Sequence, residues 1–277
     1  MTDLIKLIDV EYEYPDGTKA INGLNLTIEK GEKISLMGEN GSGKSTLFKL
    51  LNGTLKPTKG EIIIDGQPIK YNRKGLLNVR EKVGIVFQDS DDQLFSADVR
   101  QDISFGLFNL GYNEHQVKEK VDQIIEYFHM EDFAKKPVQF LSGGQKKRVA
   151  VSDVVVMEPE IILLDEPSAG MDPKNSKILD DIIRILGDRG ITLIISTHDS
   201  NKALENTNRV IVMNKGIIVE DGLPAQVFSN DQVLKESNLE KPMVVRIFQI
   251  LKEKNIVDEN LDKIPCNIEQ LEYIIRC

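Results

Sequence analysis

Apolar and polar residues alternate along LIKLIDVEYEY (Leu4 to Tyr14) and again along Ile21 to Met37, with the turn Pro15-Asp16-Gly17 between them. This predicts an antiparallel β start that feeds a buried strand. The period then changes. TLFKLLNG (Thr46 to Gly53) spaces its apolar residues as a helix does, with Gly53 where a helix would close, and EIIIDGQPI from Glu61 predicts another hairpin strand. From Asp89 to about Met157 the spacing is helical apart from a polar loop; within His115 to Met130, Val117, Val121, Ile124, Ile125 and Phe128 share one face. Strand patterns resume with EIILLDEP from Glu160, a helix from Lys174 ending at Gly187 or Gly190, ITLIISTH from Ile191, and the strand pair RVIVMNKGIIVEDG from Arg209. After Ser229 the chain reads as helical again, with MVVRIFQIL and an N-cap at Asn267 answered by Gln270 in a capping box. Together these predict a mixed α/β body with a helical arm and a small helical appendix.

Composition narrows what such a body can do. The chain has 277 residues, and 40% hydrophobic content fills an ordinary core. Lys+Arg 35 against Asp+Glu 44 gives a net charge of -9, the opposite of a phosphate-backbone footprint, so no direct nucleic-acid partner is expected. The two cysteines, Cys266 and Cys277, lack metal-site spacing and read as unpaired thiols of a reducing compartment. No secretion signal opens the sequence, and its apolar runs fall far below the roughly 18 residues needed to cross a bilayer, so a membrane role must pass through a partner.

Four apolar strand candidates end in residues suited to chemistry on a triphosphate. The first runs into Gly38-Glu39-Asn40-Gly41-Ser42-Gly43-Lys44-Ser45-Thr46, a full phosphate-loop pattern. Its backbone N–H groups would wrap a phosphate at a helix N-terminus, Lys44 would bridge the β- and γ-phosphates, and the Ser45 hydroxyl would ligate Mg²⁺. The second ends in Asp165 and Glu166. Successive side chains point opposite ways, so Asp165 suits the metal shell and Glu166 is free to polarise an attacking water; alone, the pair would equally suit a helix N-terminal charge or a surface pair. The third ends in His198, a γ-phosphate contact beside the others and a packing or capping residue without them. The fourth ends in Gln88, either an ordinary exposed amide or a link from the metal and water to whatever docks on the arm. LSGGQKKR (Leu141 to Arg148) adds a second glycine pair fit to wrap a phosphate, with no Gly-Lys-Ser/Thr after it.

With GENGSGKST, Gln88, LSGGQ, ILLDEP, SAGMDP and His198 in this order, the chain resembles the nucleotide-binding subunit of an ABC transporter. The resemblance implies a P-loop NTPase (RecA-like) core with an antiparallel β subdomain and a helical signature subdomain. The ATPase domain would span 1–228, with its arm at about 89–158, and a C-terminal helical extension 229–277. It implies catalytic roles for Glu166, His198 and Gln88, ATP held with Mg²⁺ at Ser45, Gln88 and Asp165, and a head-to-tail dimer with a second ATPase subunit, the same chain or a paralogue. Ser142, Gly143 and Gly144 would then touch the partner's ATP, and Asp172 would cross the interface. Tyr14 would stack on adenine, its other reading being half-buried strand packing.

Within the family, FQDSDDQLFSADVRQDISFG resembles the energy-coupling-factor type, which includes the cobalt importers: Gln88, Asp91, Gln93, Asp102, Phe105 and Gly106 fit. Ser90 stands where Pro is usual, Met171 where Leu is, and Asp153 where a small or apolar residue is common. The helical tail would help two subunits pair, or pack on its own domain. This resemblance implies ATP hydrolysis that powers import of a micronutrient, a vitamin or a transition-metal ion such as cobalt, through integral membrane subunits at the cytoplasmic face of the membrane. The alternative is a soluble ABC ATPase of DNA repair, translation or cofactor assembly. The repair type needs a long coiled coil between Gln88 and Leu141, and the translation type usually two cassettes.

Overall fold

In β1 (Asp3–Glu13) and β2 (Lys19–Glu29) buried residues alternate with exposed ones, and the two strands pair antiparallel. The computed structural model describes residues 3–258, 261 and 263–276. β3 (Lys33–Met37), buried at four of its five positions, leaves this sheet for a second one and runs into α1 (Lys44–Leu51). β4 (Lys59–Ile64) returns to pair with β1 and forms a hairpin with β5 (Gln67–Pro68), which gives the order β2-β1-β4-β5. α2 (Arg73–Lys82) then leads into β6 (Val83–Val86). No sequence pattern predicts α2: it buries only Val79, so it shows no apolar stripe, and its start is set by the Asn72 side chain accepting from the Gly75 N–H.

The stretch of helical spacing folds into α3 (Val99–Asn109), α4 (Glu114–Tyr127) and α5 (Gly143–Val155). Val117, Val121, Ile125 and Phe128 are buried as the shared face predicts, and they meet Val99, Ile103 and Leu107 of α3 and Val149 and Val151 of α5 in one cluster. The chain re-enters the large sheet through β7 (Ile161–Asp165), α6 (Pro173–Asp188), β8 (Thr192–Ser196), α7 (Ser200–Asn206), β9 (Arg209–Asn214) and β10 (Ile217–Gly222). The order is β10-β9-β3-β8-β7-β6, with β9, β3, β8, β7 and β6 parallel and β10 closing an antiparallel hairpin on β9. α1 packs between the sheets: Leu47, Phe48, Leu50 and Leu51 share a core with Leu7, Ile28 and Ile62 of one and Ile34 and Leu163 of the other.

Four helices complete the chain: α8 (Pro224–Val227), α9 (Asp231–Glu236), α10 (Met243–Glu253) and α11 (Ile268–Arg276). Packing on its own body, one of the two readings of this tail, is present: Val245, Phe248 and Leu271 join Ala203 and Leu204 of α7 and Val210 and Val212 of β9. The capping box expected at α11 is half formed. The Gln270 N–H donates to Asn267 Oδ1, but the Gln270 side chain accepts from the Cys266 N–H instead of that of Asn267. Cys266 is a free thiol, and Cys277 lies outside the described residues. Among the described residues no helix is long and apolar enough to cross a membrane.

Candidate functional site

The strands with candidate chemistry at their ends, β3, β8, β7 and β6, are consecutive neighbours in the parallel sheet, so their carboxyl ends converge on one region. Between β3 and α1 the chain turns through Gly38 and Gly43, with φ of 139° and 107°. A Cβ on Gly38 would stand 2.1 Å from the Met213 carbonyl oxygen, and one on Gly43 2.5 Å from that of Ala20. Only glycine meets both demands. Gly43 precedes α1, whose first turn carries no acidic residue, so the positive end of the helix faces the loop. Lys44 folds back over that loop, its Nζ donating to the carbonyls of Gly38 at 2.6 Å and Glu39 at 3.0 Å. Burial draws its pKa down, against the pull of Glu166, Asp165 and Glu39. The Ser42 hydroxyl is enclosed and lacks a hydrogen-bond partner. A glycine-lined cradle with an orphaned hydroxyl, a helix N-terminus and a lysine fits a polyphosphate.

Thr46 is turned elsewhere. Its hydroxyl meets that of Tyr14 at 2.9 Å, while the Tyr14 ring stands edge-on to Tyr12 with centroids 4.9 Å apart. Tyr14 is thus partly packed, as one of its two readings had it, and is also tied by its hydroxyl to the first turn of α1.

At the end of β7, Asp165 is buried and accepts from the Ser196 hydroxyl, its register partner on β8. Glu166 follows in the left-handed region at φ 47°, and its N–H donates to the same Ser196 Oγ at 3.0 Å. Its Oε1 lies 3.2 Å from His198 Nε2, which is also 3.2 Å from Asn40 Oδ1 of the phosphate loop. Burial raises the Glu166 pKa, with Lys44 opposing; burial lowers that of His198, with Lys44 adding to the effect. The upward shift of Glu166 makes its carboxylate a stronger proton acceptor, and the downward shift of His198 favours the neutral imidazole. Ser45, Gln88 and Asp165 line one cavity of about 710 Å³ between α1 and the arm. A hydroxyl, an amide and a carboxylate form a hard-oxygen set, and among the described residues there is no cluster of three or more His, Cys, Asp or Glu side chains fit for a metal. Such a set fits Mg²⁺ carried in on phosphate oxygens better than a metal caged by protein alone.

The glycine pair opens α5. Gly143 lines the same cavity, whereas Ser142 is exposed as the N-cap, its hydroxyl accepting from the Gln145 N–H and its own N–H donating to Gln145 Oε1. Gly144 packs on Asn175, where a Cβ would come within 3.2 Å. Asp172, exposed at the N-cap of α6, accepts from the Asn175 side chain at 2.6 Å, and that bond with the Asn175 backbone N–H holds its pKa low. Ser142 and Asp172 are therefore both exposed, and the contact of Gly144 with Asn175, which bonds Asp172, joins the starts of α5 and α6. Gln93, one of the residues that fit the energy-coupling-factor pattern, points inward: its side chain accepts from the Phe87 N–H at 3.2 Å and donates to the Ala150 carbonyl at 2.7 Å, joining β6 to α5.

Three residues of the site carry no expectation from the sequence. Ser196 spans the ends of β7 and β8, as above. Lys202 of α7 donates to Ser168 Oγ, Ser176 Oγ and Asp180 at 2.7 to 2.9 Å, holding the loop after Glu166 to α6. Lys147 touches the backbone of Gln88 and Glu166. The basic run Lys146-Lys147-Arg148 beside the glycine pair is the visible signal for the last; no pattern marks the other two.

A family model described as ABC transporter matches residues 21–169. The energy-coupling factor transporter ATP-binding protein EcfA of Methanocaldococcus jannaschii is 44% identical over 252 residues, 91% of this chain and 90% of its own. EcfA2 of Clostridium perfringens is 44% identical over 261 residues, 94% and 92% of the two chains. Among solved structures, cbiO1 of Clostridium perfringens, described as part of the ABC transporter complex cbiONQ, is similar with a TM-score of 0.76 and 42% identity over 91% of this chain and all of that one (100%). The ATP-binding cassette MJ0796, described as a dimeric post-hydrolysis state bound to ADP and Pi, is similar with a TM-score of 0.73 and 28% identity over 79% of this chain and 98% of its own.

Proposed function

The chain belongs to the ABC transporter ATPases of the energy-coupling-factor type, enzymes that couple ATP hydrolysis to transport, and on that premise we propose that two such cassettes drive uptake of a micronutrient through integral membrane subunits. The vitamin and transition-metal classes, cobalt included, are the substrates this reading favours. The chain would sit peripherally on the cytoplasmic face, in keeping with an ATPase that has no membrane-spanning helix among its described residues.

The observation that carries the chemistry is the convergence of four neighbouring strand ends on one edge of the parallel sheet. Lys44, the loop N–H groups and the helix end bind and orient the phosphates, so that most of the rate comes from positioning and charge stabilisation. Ser45 and Asp165, with Gln88 beside them, would hold Mg²⁺, which would supply charge neutralisation on the phosphate oxygens. Glu166, its carboxyl raised by burial, orients the attacking water and takes its proton, and His198 steadies that carboxylate from 3.2 Å. Ser142, Gly143, Gly144 and Asp172 serve the partner's site, a role that their outward position supports. Tyr14 flanks the base. Phe95 is 65% exposed and meets Phe105 edge-on with centroids 4.8 Å apart; with the half-exposed Phe108 they form an apolar surface on the arm suited to a membrane subunit.

Glu166→Gln tests this reading. It should keep ATP affinity, lose roughly 10²- to 10⁴-fold in turnover as loss of a proton-handling group does, and accumulate on sizing as an ATP-dependent dimer. Wild-type turnover in this variant would remove Glu166 from the mechanism. Integral proteins that copurify from detergent-solubilised membranes would identify the transported substrate class.

A further inference from the structure

α5 sends three consecutive basic side chains to three places. Lys146 pairs with Asp91 at 2.6 Å, in the loop after β6. Arg148 donates to the carbonyls of Phe128 and His129 at 3.3 and 3.1 Å, which pins the end of α4. Lys147, only 7% exposed, donates to the carbonyl oxygen of Gln88 and lies 3.3 Å from that of Glu166. It is thus a single side chain of the arm that touches the ends of both β6 and β7.

The Glu166 contact matters because of the backbone it meets. A left-handed φ of 47° is unusual for a residue with a Cβ and persists only where surrounding bonds over-determine it. On the amide side, the Glu166 N–H is held by Ser196 Oγ and the Ser196 carbonyl. On the carbonyl side, the Glu166 oxygen accepts from the Ala169 N–H at 3.2 Å and from Lys147. Three of these four bonds come from within the core. The fourth comes from the arm, and so depends on how the arm sits.

We propose that Lys147 is a positioning residue for hydrolysis, which holds the Glu166 peptide so that its carboxylate meets the attacking water, and makes that alignment depend on the seating of the arm. The proposal rests on the reading of Glu166 as the group that orients that water. Lys147 touches backbone oxygens and no reacting atom, so its effect on hydrolysis passes through the Glu166 peptide, while its bond to the Gln88 carbonyl anchors the ammonium. A displacement of α5 by anything bound to the arm would withdraw the ammonium from both carbonyls together. Burial of Lys147, which lowers its pKa while Asp89, Asp165 and Glu166 support its charge, agrees with an ammonium retained for its bonds.

Lys147→Met keeps the length of the side chain and removes its three donors. The Gln88 carbonyl loses a donor, which costs some stability, so turnover is compared at a temperature well below the melting transition of both proteins, where circular dichroism shows each fully folded. Turnover of the full-length chain should nevertheless fall by ~10-fold or more, within the ~10²-fold that ångström-scale misplacement of a catalytic group can cost, with KM for ATP changed by less than about twofold. Lys147→Arg, which can still reach two carbonyls, should recover part of the loss. In single-turnover assays Glu166→Gln with Lys147→Met should be no slower than Glu166→Gln alone, because the lysine acts through a carboxylate that is no longer there. Equal turnover in Lys147→Met and wild type overturns the proposal, as do losses that multiply in the double variant or a loss matched by a drop in the fraction that binds a fluorescent ATP analogue. Full activity of Glu166→Gln would instead sink the reading on which it rests, and the two failures are told apart by which single variant keeps its rate.

Discussion

Asp153 is the residue at which chemistry and environment disagree most. On α5 its Oδ1 is shut off from solvent without a hydrogen-bond partner. Burial drives its pKa well above 3.8, and the charge of Asp102 on α3 pushes the same way. Below about pH 3.8 the folded and unfolded chains both hold this proton, so the group costs nothing through ionisation. As pH rises the unfolded chain releases the proton first, native stability falls, and the loss continues until the folded pKa is passed, at up to ~1.4 kcal/mol per pH unit. Asp153→Ala should therefore gain on the wild type as pH is raised from about 4 to 7, in melting curves taken across that range. Parallel curves would mean that Asp153 ionises alike in both states. The strand-end residues Asp165, Glu166 and His198 were legible in the sequence because each follows an apolar run that predicts its own strand. Ser196, Lys147 and Lys202 were not, because their partners are backbone groups or hydroxyls distant along the chain, and no spacing encodes such a contact.

Elements were read well where one face is apolar and poorly where stability comes from a cap or a distant neighbour. α4 shows its buried stripe in the sequence, whereas α2 buries a single valine and depends on Asn72 for its start. Gln93 shows the same dependence on distant neighbours: its amide links β6 to α5 from within, a contact that no spacing encodes. The appendix shows the converse. Its periodicity in MVVRIFQIL predicted α10, but periodicity alone leaves the occupant of the apolar face open; the structure gives that face to α7 and β9. Phe248, 2% exposed in this cluster, should cost ~3–5 kcal/mol when replaced by Ala, measured as a fall in the denaturant midpoint. The cluster contains Ala203 and Leu204 of α7, which begins two residues after His198, so this loss should reach the site more than a cut at a loop would. An appendix that melted separately, leaving the main transition in place, would contradict a shared core.

At the scale of the whole molecule, the exposed start of α5 is the feature through which the proposed pairing with a second chain can be tested. Gly143 faces open space, since a Cβ there meets nothing within 4 Å of its own chain. Gly143→Asp should therefore fold normally, the more so because an acidic residue in the first turn of a helix favours it, while setting a negative charge against a phosphate arriving from outside. Lys44→Ala should fail for the opposite reason, by losing the cation inside its own phosphate loop. Each pure variant should be inactive. If two chains pair head to tail about a two-fold axis, a mixed dimer places both lesions in one site and neither in the other. Random pairing of equal amounts then restores about a quarter of the wild-type sites. Because each chain carries a net charge of -9, pairing is opposed by like charge, and the mixing should be done at 0.15 M salt or above, where the Debye length is about 8 Å or less. Activity regained on mixing, proportional to the mixed-dimer fraction, would show that the glycine pair of one chain completes the triphosphate site of the other. If Gly143→Asp alone keeps full turnover, or if an excess of Lys44→Ala restores nothing to it while wild-type homodimers are active, the glycine pair does not serve a partner's phosphate.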